Sequence, residues 1–198
     1  MTKPRLFTAV LLIAVSISMS APLAPAIAET VPVAETAAET ATKIEEPSIT
    51  ASLNPTLTVV GTDDQKALVE DAQSTFISLG MALPDLEIRF SDDDEACDGH
   101  MGMFRPRSDG WGIDICSDLP FVVPHELGHA WERVALSDAD RDAYMADREF
   151  ETWQHAERNE SAIEDVAHVL QLVILGGGES GRADIDDAFG LLMTLSAS

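Results

Sequence analysis

No sustained apolar run in this chain of 198 residues is long enough to cross a membrane. The longest, residues 6–19, holds roughly 14 apolar residues where a spanning helix needs ~20. Lys3 and Arg5 precede it and Ala26-Ile27-Ala28 follows it. A basic start, an apolar middle and a small-x-small end predict a cleaved export signal over residues 1–28, hence a secreted or periplasmic protein. An uncleaved anchor is the competing reading, and the shortness of the run argues against it. No cysteine follows the run, which excludes lipid attachment there. Removal of the signal leaves no stable membrane insertion.

Basic residues are scarce. Twelve Lys and Arg stand against 35 Asp and Glu, a formal net charge of −23, and loss of Lys3 and Arg5 with the signal brings it to about −25. Such a surface repels a polyanion, so nucleic acid is excluded as a partner. The acidity predicts a solvated face that keeps an exported protein soluble; a preference for basic substrates is the alternative.

Cysteine is scarcer still, with only Cys97 and Cys116. In an oxidising compartment the pair predicts a disulfide, whose loop of about 20 residues is worth roughly 3 kcal/mol in chain entropy. A metal site built from Cys97, His100 and Cys116 competes with it, but lacks an evident fourth ligand.

Residues 29–55 are rich in Ala, Thr, Glu and Pro without sustained periodicity, and predict a disordered acidic linker. Residues 56–198 then form one domain, with no internal repeat. A β-branched run at 57–60 ends at Gly61. Thr62 and Asp63 can cap a helix running to about residue 79, with Leu68, Ala72, Phe76 and Leu79 as its buried stripe. Residues 86–90 alternate as a half-buried strand. Residues 101–104 and 111–116 flank a turn containing Pro106 and Asp109-Gly110, a hairpin with Trp111, Ile113 and Ile115 on one face. Helices are expected from Pro124 onward, from Ser137 through Arg148, from about 159 to 175, and from about 183 to 195. Strands first and helices after give an α+β class: a small mixed sheet with a hairpin, then a helical half.

The second helical region opens on chemistry. Residues 125–131 read His-Glu-Leu-Gly-His-Ala-Trp. On a helix, positions four apart share a face, so His125 and His129 can offer ring nitrogens to one metal ion while Glu126 lies beside it. Zinc with three protein ligands keeps a position for water, lowers its pKa to about 7, and leaves an adjacent glutamate to take the proton. Two histidines on a core helix would give the same letters without function, yet Gly128, costly in a helix interior, marks a place where something approaches closely. Trp131 reads as core packing.

A third ligand must come from downstream. Glu160 and Glu164 are four apart on the next predicted helix, so one can bind the metal and the other accept the outer N–H of a ligand histidine. Tyr144, His155 and His168 are candidates to stabilise an oxyanion.

His-Glu-x-x-His followed about thirty residues later by Glu160-x-x-Ile163-Glu164-x-Val166-Ala167 resembles the gluzincin metallopeptidases, in particular their minimal ImmA/IrrE-like members and small secreted proteins with paired cysteines before a His-Glu-Leu-x-His-Ala-Trp helix. The pattern departs from theirs at Ile163, where they have Ala, and at Glu164, where they have Asn or Asp. The resemblance implies a zincin-like fold for the helical half, Zn²⁺ as cofactor, a peptide or protein substrate, and Glu160 as the leading third ligand. Metzincins are excluded, since Glu132 and Ala135 stand where their Gly and third His are required. The function expected is an exported zinc-dependent metallopeptidase with Glu126 as general base. The alternative is a catalytically inactive, zinc-stabilised binding module.

Overall fold

The β-branched run and the alternating run become neighbouring parallel strands. In a computed structural model describing residues 48–108, 110–154 and 161–197, β2 (Leu57–Val60) pairs with β4 (Leu86–Phe90), Leu57 opposite Leu86 and Val60 opposite Arg89. Parallel strands need a crossover, and α1 (Asp63–Ser78) supplies it. Its start is fixed by a reciprocal cap: Gln65 N–H donates to the Thr62 hydroxyl at 3.3 Å, and Thr62 N–H donates to the Gln65 side chain at 2.8 Å. The buried stripe is Val69, Ala72 and Phe76, with Leu68 only half-buried. At roughly 100° per residue, Val69 and Phe76 lie on the same side of Ala72 and Leu68 on the other.

Two more strands complete this sheet in the order β2-β4-β6-β5. β6 (Gly110–Ile115) runs parallel to β4, and β5 (Gly102–Arg107) closes the edge antiparallel to β6. The hairpin ladder is longer than expected. It passes through Pro106, opposite Trp111, as far as Arg107 and Gly110, because a proline is tolerated on an edge strand where its missing N–H faces away from the ladder. Ile113 and Ile115 are buried, while Trp111 lies at the core margin, stacked on Phe104 with ring centroids 4.8 Å apart. On the opposite face Asp114 is held by Arg105 at 2.7 Å and Arg107 at 2.6 Å.

A second, two-stranded ladder joins β1 (Ala51–Ser52) to β3 (Leu83–Pro84). The last residues of the 29–55 stretch therefore carry structure, and Pro55 is buried. The export signal and most of the linker lie outside the described residues. Cys97, at the end of a 3₁₀ turn Asp94–Cys97, is bonded to Cys116 just after β6. The sulfurs are thus consumed by a disulfide, and a metal site of Cys97, His100 and Cys116 is ruled out.

Four helices follow: α2 (Val122–Ala135), α3 (Asp138–Arg148), α4 (Ala162–Leu175) and α5 (Ala183–Leu195). The class is α+β, as the order of patterns implied. α2 and α4 form the centre of the helical half, burying Leu127, Trp131, Val166, Leu170 and Val173. α4 starts later than residue 159. Ser161 is extended, and the first helical N–H groups, of Ala162 and Ile163, are taken by the carbonyls of Thr152 and Trp153 at 3.1 and 3.2 Å. No helix among the described residues is long and apolar enough to cross a membrane.

Candidate functional site

Helical spacing does what the sequence pattern requires of it. His125 and His129 stand one turn apart on α2, their rings 4.9 Å apart and nearly perpendicular. What α4 brings to them is Glu164. Its carboxylate lies 3.3 Å from Nε2 of His125 through one oxygen and 3.6 Å from Nε2 of His129 through the other. His125, His129 and Glu164 form a group that could hold a metal ion, their ligand atoms within 4.8 Å of one another. Glu160, the leading third ligand by resemblance, lies outside the described residues, as does His155.

The approach of α4 depends on Gly128. A Cβ there would stand 3.1 Å from the Ala167 Cα, so the glycine makes room for a neighbouring helix rather than for a ligand. Farther along α4, His168 and Gln171 follow Glu164 at helical spacing and line the same cavity of about 940 Å³. Gln171 hydrogen-bonds the His125 imidazole. Nδ1 of His129 is buried with no hydrogen-bond partner among the described residues.

Glu126 is 5% exposed and lies against the edge strand. Burial pushes its carboxyl up to about 7, with His125 opposing the rise and Glu164 adding to it; the nearby Phe104 backbone N–H favours the charged form. Glu164 is held below its usual range, chiefly by its bond to His125, against the effect of burial and with help from the charges of His129, His125 and His100. His129 is pushed down by burial and by the neighbouring His125. For His125 burial also disfavours the charged form, but the Glu164 bond and the carboxylates of Glu126 and Glu164 outweigh it, and its pKa rises. A buried carboxyl titrating near neutrality beside a pair of imidazoles is the arrangement in which proton transfer is practicable.

Tyr144 cannot serve the oxyanion. It is fully buried and its hydroxyl donates to Asp165 Oδ2 at 2.7 Å, while Arg148 donates to Oδ2 at 3.0 Å and to Oδ1 at 3.2 Å. Burial and that carboxylate raise the phenol above its ordinary value. His168 is exposed on the cavity wall, and His100, in the loop after Cys97, lines it too. Sequence reasoning missed Gln171 and Gly102. Gln171 was findable as the residue two turns beyond Glu164, and Gly102 as a glycine inside a strand, which marks close approach.

Comparison of the chain with protein-family models, with curated proteins and with solved structures finds no match.

Proposed function

We propose that the protein is an exported zinc metallopeptidase of gluzincin type, with His125, His129 and Glu164 as metal ligands and Glu126 as general base. The observation that carries this reading is the Glu164 carboxylate spanning both imidazoles in a cavity shared with buried Glu126. Ligands held tetrahedrally at roughly 2.0–2.1 Å from zinc stand roughly 3.3 Å apart, so separations of this size suit that ion. Two imidazole nitrogens and a carboxylate oxygen are donors zinc accepts.

Zinc bound there supplies a Lewis acid that polarises a carbonyl and acidifies water. Glu126 takes a proton from the attacking water as its oxygen bonds to the scissile carbonyl carbon, then gives that proton to the amide nitrogen as the C–N bond breaks. The products are a carboxylic acid and an amine. Its raised pKa lets Glu126 both accept and return the proton near neutral pH. An extended peptide laid along the free edge of β5 as an added strand brings its carbonyl toward the metal ligands. The disulfide supports an oxidising, secreted or periplasmic setting.

Elemental analysis of the full-length chain, paired with cleavage of a mixed-sequence peptide library, tests the reading. One zinc per chain is expected in the parent and in Glu126→Gln, and none in His129→Ala or Glu164→Ala. Glu126→Gln should lose about 10²-fold or more in cleavage while keeping zinc. Zinc retained in Glu164→Ala but lost in Glu160→Ala would return the third ligand to Glu160. Zinc bound by a parent that cleaves nothing would favour the binding module.

A further inference from the structure

β5 is the free edge of the four-stranded sheet. Cys116 N–H donates to the Met101 carbonyl at 2.8 Å, continuing the ladder one residue past the Gly102–Ile115 pair. Backbone groups alternate in such a ladder, so Met103, Arg105 and Arg107 direct theirs toward β6, while Gly102, Phe104 and Pro106 direct theirs outward. Proline at 106 agrees, having no N–H to leave unpaired.

The outward edge runs against Glu126. Its carboxylate lies near enough to the Phe104 N–H for that donor to favour the charged form. A Cβ at Gly102 would lie 2.7 Å from both Cγ and Oε1 of Glu126 and 2.8 Å from Val122 Cγ1. Gly102 does not have a positive φ, so the backbone conformation does not demand glycine there; the closeness of Glu126 does.

We propose, resting on the peptidase reading, that Gly102 and Phe104 are positioning residues that latch Glu126, and that a substrate strand opens the latch. The Phe104 N–H that holds the carboxylate is also the outward donor an added strand needs. A peptide carbonyl that accepts this N–H displaces Glu126 from it and frees the carboxylate for the reacting water. The base is thereby released only when extended substrate is in place.

Phe104→Ala keeps the N–H and Phe104→Pro removes it, while both lose the ring stacked on Trp111, so their comparison isolates the donor. In zinc-loaded full-length protein acting on the mixed-sequence library, KM in Phe104→Pro should be about 10-fold above that of Phe104→Ala. The kcat of the two should agree within about 3-fold, since an unlatched Glu126 is already free. Gly102→Ala should keep zinc and lose about 10²-fold in kcat, because its Cβ displaces the carboxylate. Equal KM in the two Phe104 variants, or parental kcat in Gly102→Ala, overturns the proposal. A parent that hydrolyses no peptide sinks the peptidase reading instead. The latch itself is then decided by amide hydrogen exchange: Phe104 N–H must exchange faster in Glu126→Ala than in the parent, and unchanged protection overturns it.

Discussion

Gly128 of α2 and Ala167 of α4 meet backbone to backbone, close enough that a Cβ on Gly128 would stand 3.1 Å from the Ala167 Cα and 3.4 Å from its carbonyl oxygen. The contact is adjacent to His129 in sequence and one turn from Glu164, so it sets the separation of the helices where imidazoles and carboxylate meet. Gly128→Ala is expected to wedge them apart. Overpacking costs about 1–3 kcal/mol, offset in part by about 1 kcal/mol of helix propensity. Zinc affinity should fall about 10-fold, as when other supports of metal ligands are removed. Titration calorimetry with zinc checks this, and unchanged affinity would mean that the helices yield elsewhere.

Features carried by local spacing were legible in the sequence. His125 and His129 share a helix face because a helix places i and i+4 together, whatever surrounds it. Cys97 and Cys116 had no other thiol to choose. Features set by how elements dock were not legible. That Glu164 faces the histidines depends on where α4 begins and how it docks, and its start is fixed by carbonyls of Thr152 and Trp153 from the preceding segment. The role of Gly102 arises only when β5 lies against α2, and Tyr144 turns from the cavity because Asp165 on another helix accepts its hydroxyl. Leu68 and Val69 are neighbours on α1, and only docking decides which enters the core.

The Cys97–Cys116 disulfide ties the loop carrying His100 to the end of β6, across a sequence separation of 19. Replacing both cysteines by alanine should cost about 3 kcal/mol, the chain-entropy value for a loop of this length. For a domain of about 150 residues that lowers Tm by roughly 10 °C. Thermal unfolding of the parent with and without reductant should reproduce the difference. A change of less than 2 °C in both experiments would contradict the estimate.

Tyr144→Phe removes one hydrogen bond to the Asp165 carboxylate and leaves both bonds from Arg148 in place. Loss of a buried bond to a charged acceptor should cost about 1.5–3 kcal/mol, read as a lower urea midpoint. Zinc content and kcat should stay at parental values, because the hydroxyl points to Asp165. An oxyanion donor would instead cost about 10²–10³ in kcat, so a loss of that size would reinstate Tyr144 in the chemistry.

Glu132 and Arg141 join α2 to α3 on the cavity wall, with Nε 2.7 Å from the carboxylate and the glutamate side chain only 3% exposed. Burial raises the Glu132 pKa even though Arg141 opposes it. Arg141→Met leaves the carboxylate buried with only the charge of Arg133 and the Trp153 indole to support it, a change that costs about 3 kcal/mol where the group is ionised. The folded variant then holds the Glu132 proton more tightly than the unfolded chain does, so folding takes up a proton. Stability must therefore fall as pH rises from the unfolded glutamate's pKa through the higher folded one, and level off above it. The parent should follow the same direction with a shallower slope, because Arg141 limits the rise. Urea unfolding of both proteins at pH 5 and pH 8 checks the sign: the gap between parent and variant should be wider at pH 8. A gap independent of pH would mean that Arg141 stabilises through its packing over Trp153, 5.6 Å from the ring centroid, and not through the charge of Glu132.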